Sequence, residues 1–161
     1  LDVDAKNNIE LVENAEEYVA NTKANINLVD SDRAFYSVAS DAITMPKAEQ
    51  FDNVEEYYST LLHELTHWTG NAKRNDRDLS GGFGSKSYAF EELVAELGSV
   101  FLCNALEIEK SPAINHAKYL NSWLQILRED KRALYRASSL AQKAVDYLDA
   151  MQIPSEDRAV A

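Results

Sequence analysis

Residues 57–69 read YYSTLLHELTHWT, and within them His63, Glu64, Leu65, Thr66 and His67 form the pattern HExxH. Residues four apart on a helix are neighbours on one face, so both imidazoles reach a common point, and Glu64, beside the first, can approach a water held there. The flanks supply the helix: Val54, Tyr57, Tyr58, Leu61, Leu65 and Trp68 share one side of a segment running from about Asn53 to Trp68. At roughly 100° per residue, His63 and His67 lie opposite the Leu61 and Leu65 face. On an ordinary amphipathic helix those positions would simply be solvated. A metal site demands more: a third ligand from a separate element and an open position for water or substrate.

A second apolar helix, from Tyr88 to about Leu106, carries Glu91, Glu92 and Glu96 among Phe90, Leu93, Val94, Leu97, Val100 and Phe101. Glu92 and Glu96 are four apart, so one can bind metal while the other hydrogen-bonds the free nitrogen of a ligand histidine. His116 and Cys103 are alternative donors, and acidic residues early in a helix also have an ordinary role as favourable charge near its N-terminus. Cys103, the single cysteine, lies in the apolar run 100–105 and reads as a small buried hydrophobe.

The remaining chain frames these two helices. The 161 residues, 45% hydrophobic and 27% charged, have the length and balance of one globular domain. A lone cysteine excludes an internal disulfide and suits a reducing cytoplasm. A formal charge of -11 argues against a broad phosphate-binding face. No apolar run approaches the roughly 20 residues needed to cross a bilayer, so the chain reads as soluble. Its opening at Leu1 suggests a piece excised from a longer protein.

An amphipathic helix is expected from Ile9 to about Lys23. Three short strands follow, Ile26 to Val29, Ala34 to Val38 and Ala42 to Met45, expected to form an antiparallel sheet whose last strand, ended by Pro46, offers an edge for an extended substrate. Residues 69–87 hold four of the five glycines and read as a long loop. With Lys73, Arg74, Arg77 and Lys86, that loop is a lid, an exosite for an acidic partner, or a solvated mobile segment. Helices from Ala117 to Leu127 and Lys131 to Met151, broken near Arg128 to Asp130, complete a fold that is α+β and mainly helical.

YYSTLLHELTHWT together with FGSKSYAFEELVAELGSVFL at 83–102 resembles the zincin-type metallopeptidase domain of ArdC-like and TraC-like antirestriction proteins of plasmids and phages. The similarity extends through 33–46 and 116–148, most of the chain. In gluzincin-type peptidases the first Glu of an ExxxD or ExxxE helix binds the metal. The resemblance therefore implies Glu92 as third ligand, Glu96 as the carboxylate behind a ligand histidine and Glu91 as the fallback. Asn71 departs from the pattern, standing where many relatives have a His. Full-length ArdC-like proteins also carry an N-terminal single-stranded-DNA-binding domain, which this chain lacks, so no nucleic-acid binding is expected of it.

These residues together suggest one zinc ion on His63, His67 and Glu92. Glu64 would take a proton from water whose pKa the metal lowers towards 7 and return it to the leaving amine of a protein or peptide substrate. Tyr88, His116 and Tyr119 are candidates to stabilise the oxyanion. The competing reading is a protein-binding antirestriction module in which the metal only stabilises the fold.

Overall fold

The computed structural model describes residues 9–110 and 116–152, with side chains of 116–119 outside the described set. The first helix, α1, spans Glu13–Thr22 and ends where Lys23 takes a left-handed conformation, φ 56. It starts four residues later than the periodicity suggests, because the Val12 amide is held by the Tyr58 hydroxyl at 3.1 Å and the backbone there is extended.

Strands β1 (Asn25–Val29), β2 (Phe35–Ser37) and β3 (Ala42–Pro46) form a sheet ordered β1-β3-β2. The pairing corrects the expected antiparallel arrangement: β2 and β3 form an antiparallel hairpin, but β1 lies parallel to β3. It also removes the Ala42 to Met45 strand from the edge. With Ala42, Ile43 and Met45 all buried, β3 is the most apolar strand and takes the centre, leaving β1 and β2 as edges. Pro46 is tolerated because it closes the strand.

Helix α2, Val54–Thr69, begins at Asn53, whose side chain accepts from the Glu56 amide at 2.8 Å. Its apolar side buries Tyr58, Leu61, Leu62 and Leu65 against Ile43 and Met45 of β3 and Leu102 of α3. Helix α3, Lys86–Ala105, is capped by Ser85 and packs against both α2 and α5. Helices α4 (His116–Glu129) and α5 (Ala133–Ala150) follow, separated around Asp130 as expected. On α5, Ala133, Ala137, Ala141 and Ala144 are fully buried, a small-residue row facing α3.

The approach of α2 to α3 depends on Gly98. A Cβ built there would lie 2.5 Å from Thr66 Cγ2, and Thr66 stands between the two histidines of HExxH. We predict that Gly98→Ala destabilises the domain by about 1–3 kcal/mol through overpacking, despite its better helix propensity. An unchanged urea midpoint would contradict this close contact.

Candidate metal centre

The stripe of α2 facing away from the core forms the floor of a cleft of about 350 Å³, lined by His63, Glu64 and His67. β2 contributes Phe35 and Tyr36, α3 contributes Tyr88, Glu91, Glu92 and Glu96, and Trp123 of α4 also lines the space. His63 Nε2 and His67 Nε2 lie 3.2 Å apart. The Glu92 carboxylate reaches both, Oε2 at 3.3 Å from His63 Nε2 and Oε1 at 3.2 Å from His67 Nε2. Tetrahedral zinc with bonds near 2.0–2.1 Å separates its donors by about 3.3 Å, so this donor set fits such an ion. Among the described residues it is the one group of His, Cys, Asp and Glu arranged to hold a metal. Cys103 is buried elsewhere, its Sγ 3.8 Å from Ser59 Oγ.

Each histidine uses its other nitrogen for a different carboxylate. His63 Nδ1 lies 3.3 Å from Glu96 Oε2, and His67 Nδ1 lies 3.1 Å from Glu91 Oε1. Glu91, the fallback ligand of the sequence reading, thus backs His67 and faces away from the paired Nε2 atoms. Behind each carboxylate stands a cation. Arg77 grips Glu91 through Nη2 at 2.8 Å and Nε at 3.0 Å, while Lys110 Nζ is 3.1 Å from Glu96 Oε1.

Two basic side chains pin the first half of the 70–85 loop to the domain, while residues 82–84 remain exposed as its composition suggests. The Arg77 side chain is 4% exposed and also donates to Thr69 Oγ1 and the Thr66 carbonyl, tying the loop to α2 and α3. Arg74 is likewise buried, pairing with Asp41, donating to the Trp68 carbonyl and stacking 3.8 Å from the Trp68 ring centroid. Of the four basic residues, only Lys73 and Lys86 remain exposed. Asn71 donates to the Tyr36 hydroxyl at 2.8 Å and so links the loop to β2. Of the oxyanion candidates, Tyr88 lines the cleft, whereas the side chains of His116 and Tyr119 lie outside the described residues.

Electrostatics follow from this packing. Burial alone would lower the His67 pKa, but hydrogen bonds to Glu91 and Glu92 outweigh it and raise the value to about 10. Burial would raise Glu92, yet its bonds to His63 and His67 hold it well below the usual carboxylate range. With metal removed by a chelator, the raised His67 contributes stability that is fully present below its unfolded value near 6.5 and lost as pH rises through about 10. The depressed Glu92 contributes stability present above 4.5 and lost as pH falls. Chelated protein should therefore lose stability from pH 6.5 towards 10, at up to about 1.4 kcal/mol per pH unit for one proton. The stabilisation added by metal should grow over the same range, because metal displaces those protons. Parallel pH curves for chelated and metal-loaded protein would contradict this.

A sequence model of zincin-like metallopeptidases, the MPTase-PolyVal family, matches residues 13–140. The chain belongs to this zincin-like family. The domain is 44% identical to DNA primase TraC of Escherichia coli over 141 residues, which is 88% of this chain and 13% of that protein. It is 41% identical to the uncharacterised protein y4eC of Sinorhizobium fredii, across 89% of this chain and 46% of the relative. The zincin-like fold is also that of the antirestriction ArdC protein from plasmid R388. Its metal-free crystal structure superposes with a TM-score of 0.78 at 40% identity, covering 88% of this chain and 51% of that one. Its Mn(II)-bound form gives 0.81 at 39%, covering 89% and 54%. The chain thus spans from about an eighth to about half the length of these relatives. Family membership, the manganese-bound relative and the donor set together support a divalent metal. Among the described residues no helix is long and apolar enough to cross a membrane.

Proposed function

We propose that this zincin-like domain is a zinc metalloendopeptidase in which His63, His67 and Glu92 hold one ion, Glu64 is the catalytic base and Glu96 orients His63. The observation that carries the reading is three donors converging on one point in the floor of an open cleft, beside the 7%-exposed Glu64. Purely structural zinc sites are closed by four protein ligands, whereas catalytic ones keep a position open. The same observation favours hydrolysis over a module in which metal only stabilises the fold.

When bound, the ion supplies Lewis acidity and lowers the pKa of water. Glu64 would take a proton from the attacking water as its oxygen bonds to the carbonyl carbon, and would then deliver that proton to the amide nitrogen as the C–N bond breaks and the amine leaves. Glu96 and Glu91, on the two Nδ1 atoms, fix the imidazole tautomers and aim both Nε2 atoms at one point. β2 is an edge strand beside the cleft, against which an extended substrate pairs by backbone hydrogen bonds. Tyr88, which lines the cleft, is one of the three oxyanion candidates with His116 and Tyr119.

One relative is named as an antirestriction protein of a plasmid, and we assign the domain to antirestriction or conjugal transfer, with a cytoplasmic protein substrate of host or self origin. The test is zinc content after chelator-free purification, combined with mass-spectrometric comparison of treated and untreated bacterial lysates. One zinc per chain and new peptide termini are expected; stoichiometric zinc with no new termini would favour the binding module.

A further inference from the structure

The charges around the cleft do not cancel. Two positive charges from a divalent ion offset Glu64 and Glu92, Arg77 offsets Glu91, and Lys110 offsets Glu96. Three lining carboxylates are left over, Asp32, Glu56 and Asp78, and no ion pair among the described residues involves them. Among the described residues, no Lys or Arg side chain lines the cleft. A cleft with low-dielectric walls focuses such a residual field onto whatever enters it.

The three are spread along the groove. Glu56 lies on α2 eight residues before Glu64, about 12 Å along the helix axis, a span that an extended chain covers in three to four residues. Gln50 Nε2 donates to Asp30 Oδ1 at 3.1 Å and the Ser31 carbonyl at 3.2 Å, which fastens the turn bearing Asp32 to the segment leading into α2. Asp32 and Glu56 thus share one end of the cleft. Asp78 follows the clamped Arg77, on the loop that leaves the other end of α2. Between these acidic ends the wall formed by β2 and the turn after it is apolar and open, with Phe35 46% and Val38 51% exposed.

We propose that the cleft selects extended polypeptide segments in which Lys or Arg lies within about four residues of the bond over the metal and apolar side chains lie beside it. This rests on the peptidase reading above, and its test separates the two. The substrate's cationic side chains pair with the exposed Asp32 at one end, where the buried Glu56, whose Oε2 accepts from the Asp52 amide, adds its charge, and with Asp78 at the other, while Phe35 and Val38 cover its apolar neighbours.

The probe is a peptide library made by Glu-specific digestion of a bacterial lysate, which keeps Lys and Arg inside the peptides. It is cleaved by zinc-loaded protein and, separately, captured on immobilised zinc-loaded E64Q. Lys and Arg should be enriched near the cleaved bond and in captured peptides. The D32N/D78N variant, which alters exposed carboxylates only, should lose about two- to tenfold of that enrichment in both cleaved and captured peptides, with its zinc content unchanged. Raised salt should erode the preference in parallel. Cleavage or capture with no basic enrichment, or enrichment untouched in D32N/D78N, overturns the proposal. Capture of basic peptides without any cleavage supports the selectivity and overturns the peptidase reading instead.

Discussion

Replacing Glu64 by Gln is expected to leave fold and zinc content intact while lowering cleavage of any identified substrate by about 10²–10⁴-fold. Glu64 lies in the cleft floor between the two histidines, and Gln keeps its volume and a carbonyl acceptor but cannot take a proton. Because the candidate ligands are His63, His67 and Glu92, the substitution removes no donor from the metal. Zinc content and cleavage should therefore separate in this one variant. Equal cleavage by wild type and E64Q would assign the base elsewhere.

Arg77→Met is expected to cost about 3–5 kcal/mol of stability, because it leaves the Glu91 carboxylate buried beside His67 without its guanidinium partner. For a domain whose total stability is of order 5–15 kcal/mol this is a large fraction. Zinc affinity should also fall, by about 10–100-fold, since Glu91 no longer holds His67 in place. Arg77→Lys should fall between, keeping the charge but losing the two-pronged grip. Combining Arg77→Met with Glu91→Gln should recover part of the stability, as the unpaired charge is gone, without restoring zinc affinity. A loss below about 1 kcal/mol in the single variant, the size typical of surface pairs, would show that the clamp is not structural.

What could be read in advance, and what could not, divides by the range of the interaction. The i, i+4 spacing of His63 and His67 and of Glu92 and Glu96 is local, and in the structure these side chains meet across the α2–α3 contact. Helix positions followed from apolar periodicity to within a few residues, failing most at α1, where Tyr58 captures the Val12 amide from 46 positions away. Strand order failed for the same reason. The β2–β3 hairpin is local, but the parallel docking of β1 on β3 is decided by which strand is apolar enough to be central.

The burial of Arg74 and Arg77 has no local signal, because a glycine-rich loop with basic residues looks solvated. Their burial depends on Asp41 and Glu91, which lie 33 and 14 positions away. One signal was present: Glu91, left over once Glu92 was the ligand, needed a partner to be buried. The role of Lys110 behind Glu96 had no local signature.

A metal held by His63, His67 and Glu92, with an open position facing the cleft, is what the proposed chemistry requires. Anomalous diffraction at the zinc edge from crystals grown with zinc tests it most directly. A single peak about 2.0–2.2 Å from both Nε2 atoms and a Glu92 oxygen, with no fourth protein ligand, is the predicted result. No peak there, or a peak bound by Glu91 in place of Glu92, would contradict it.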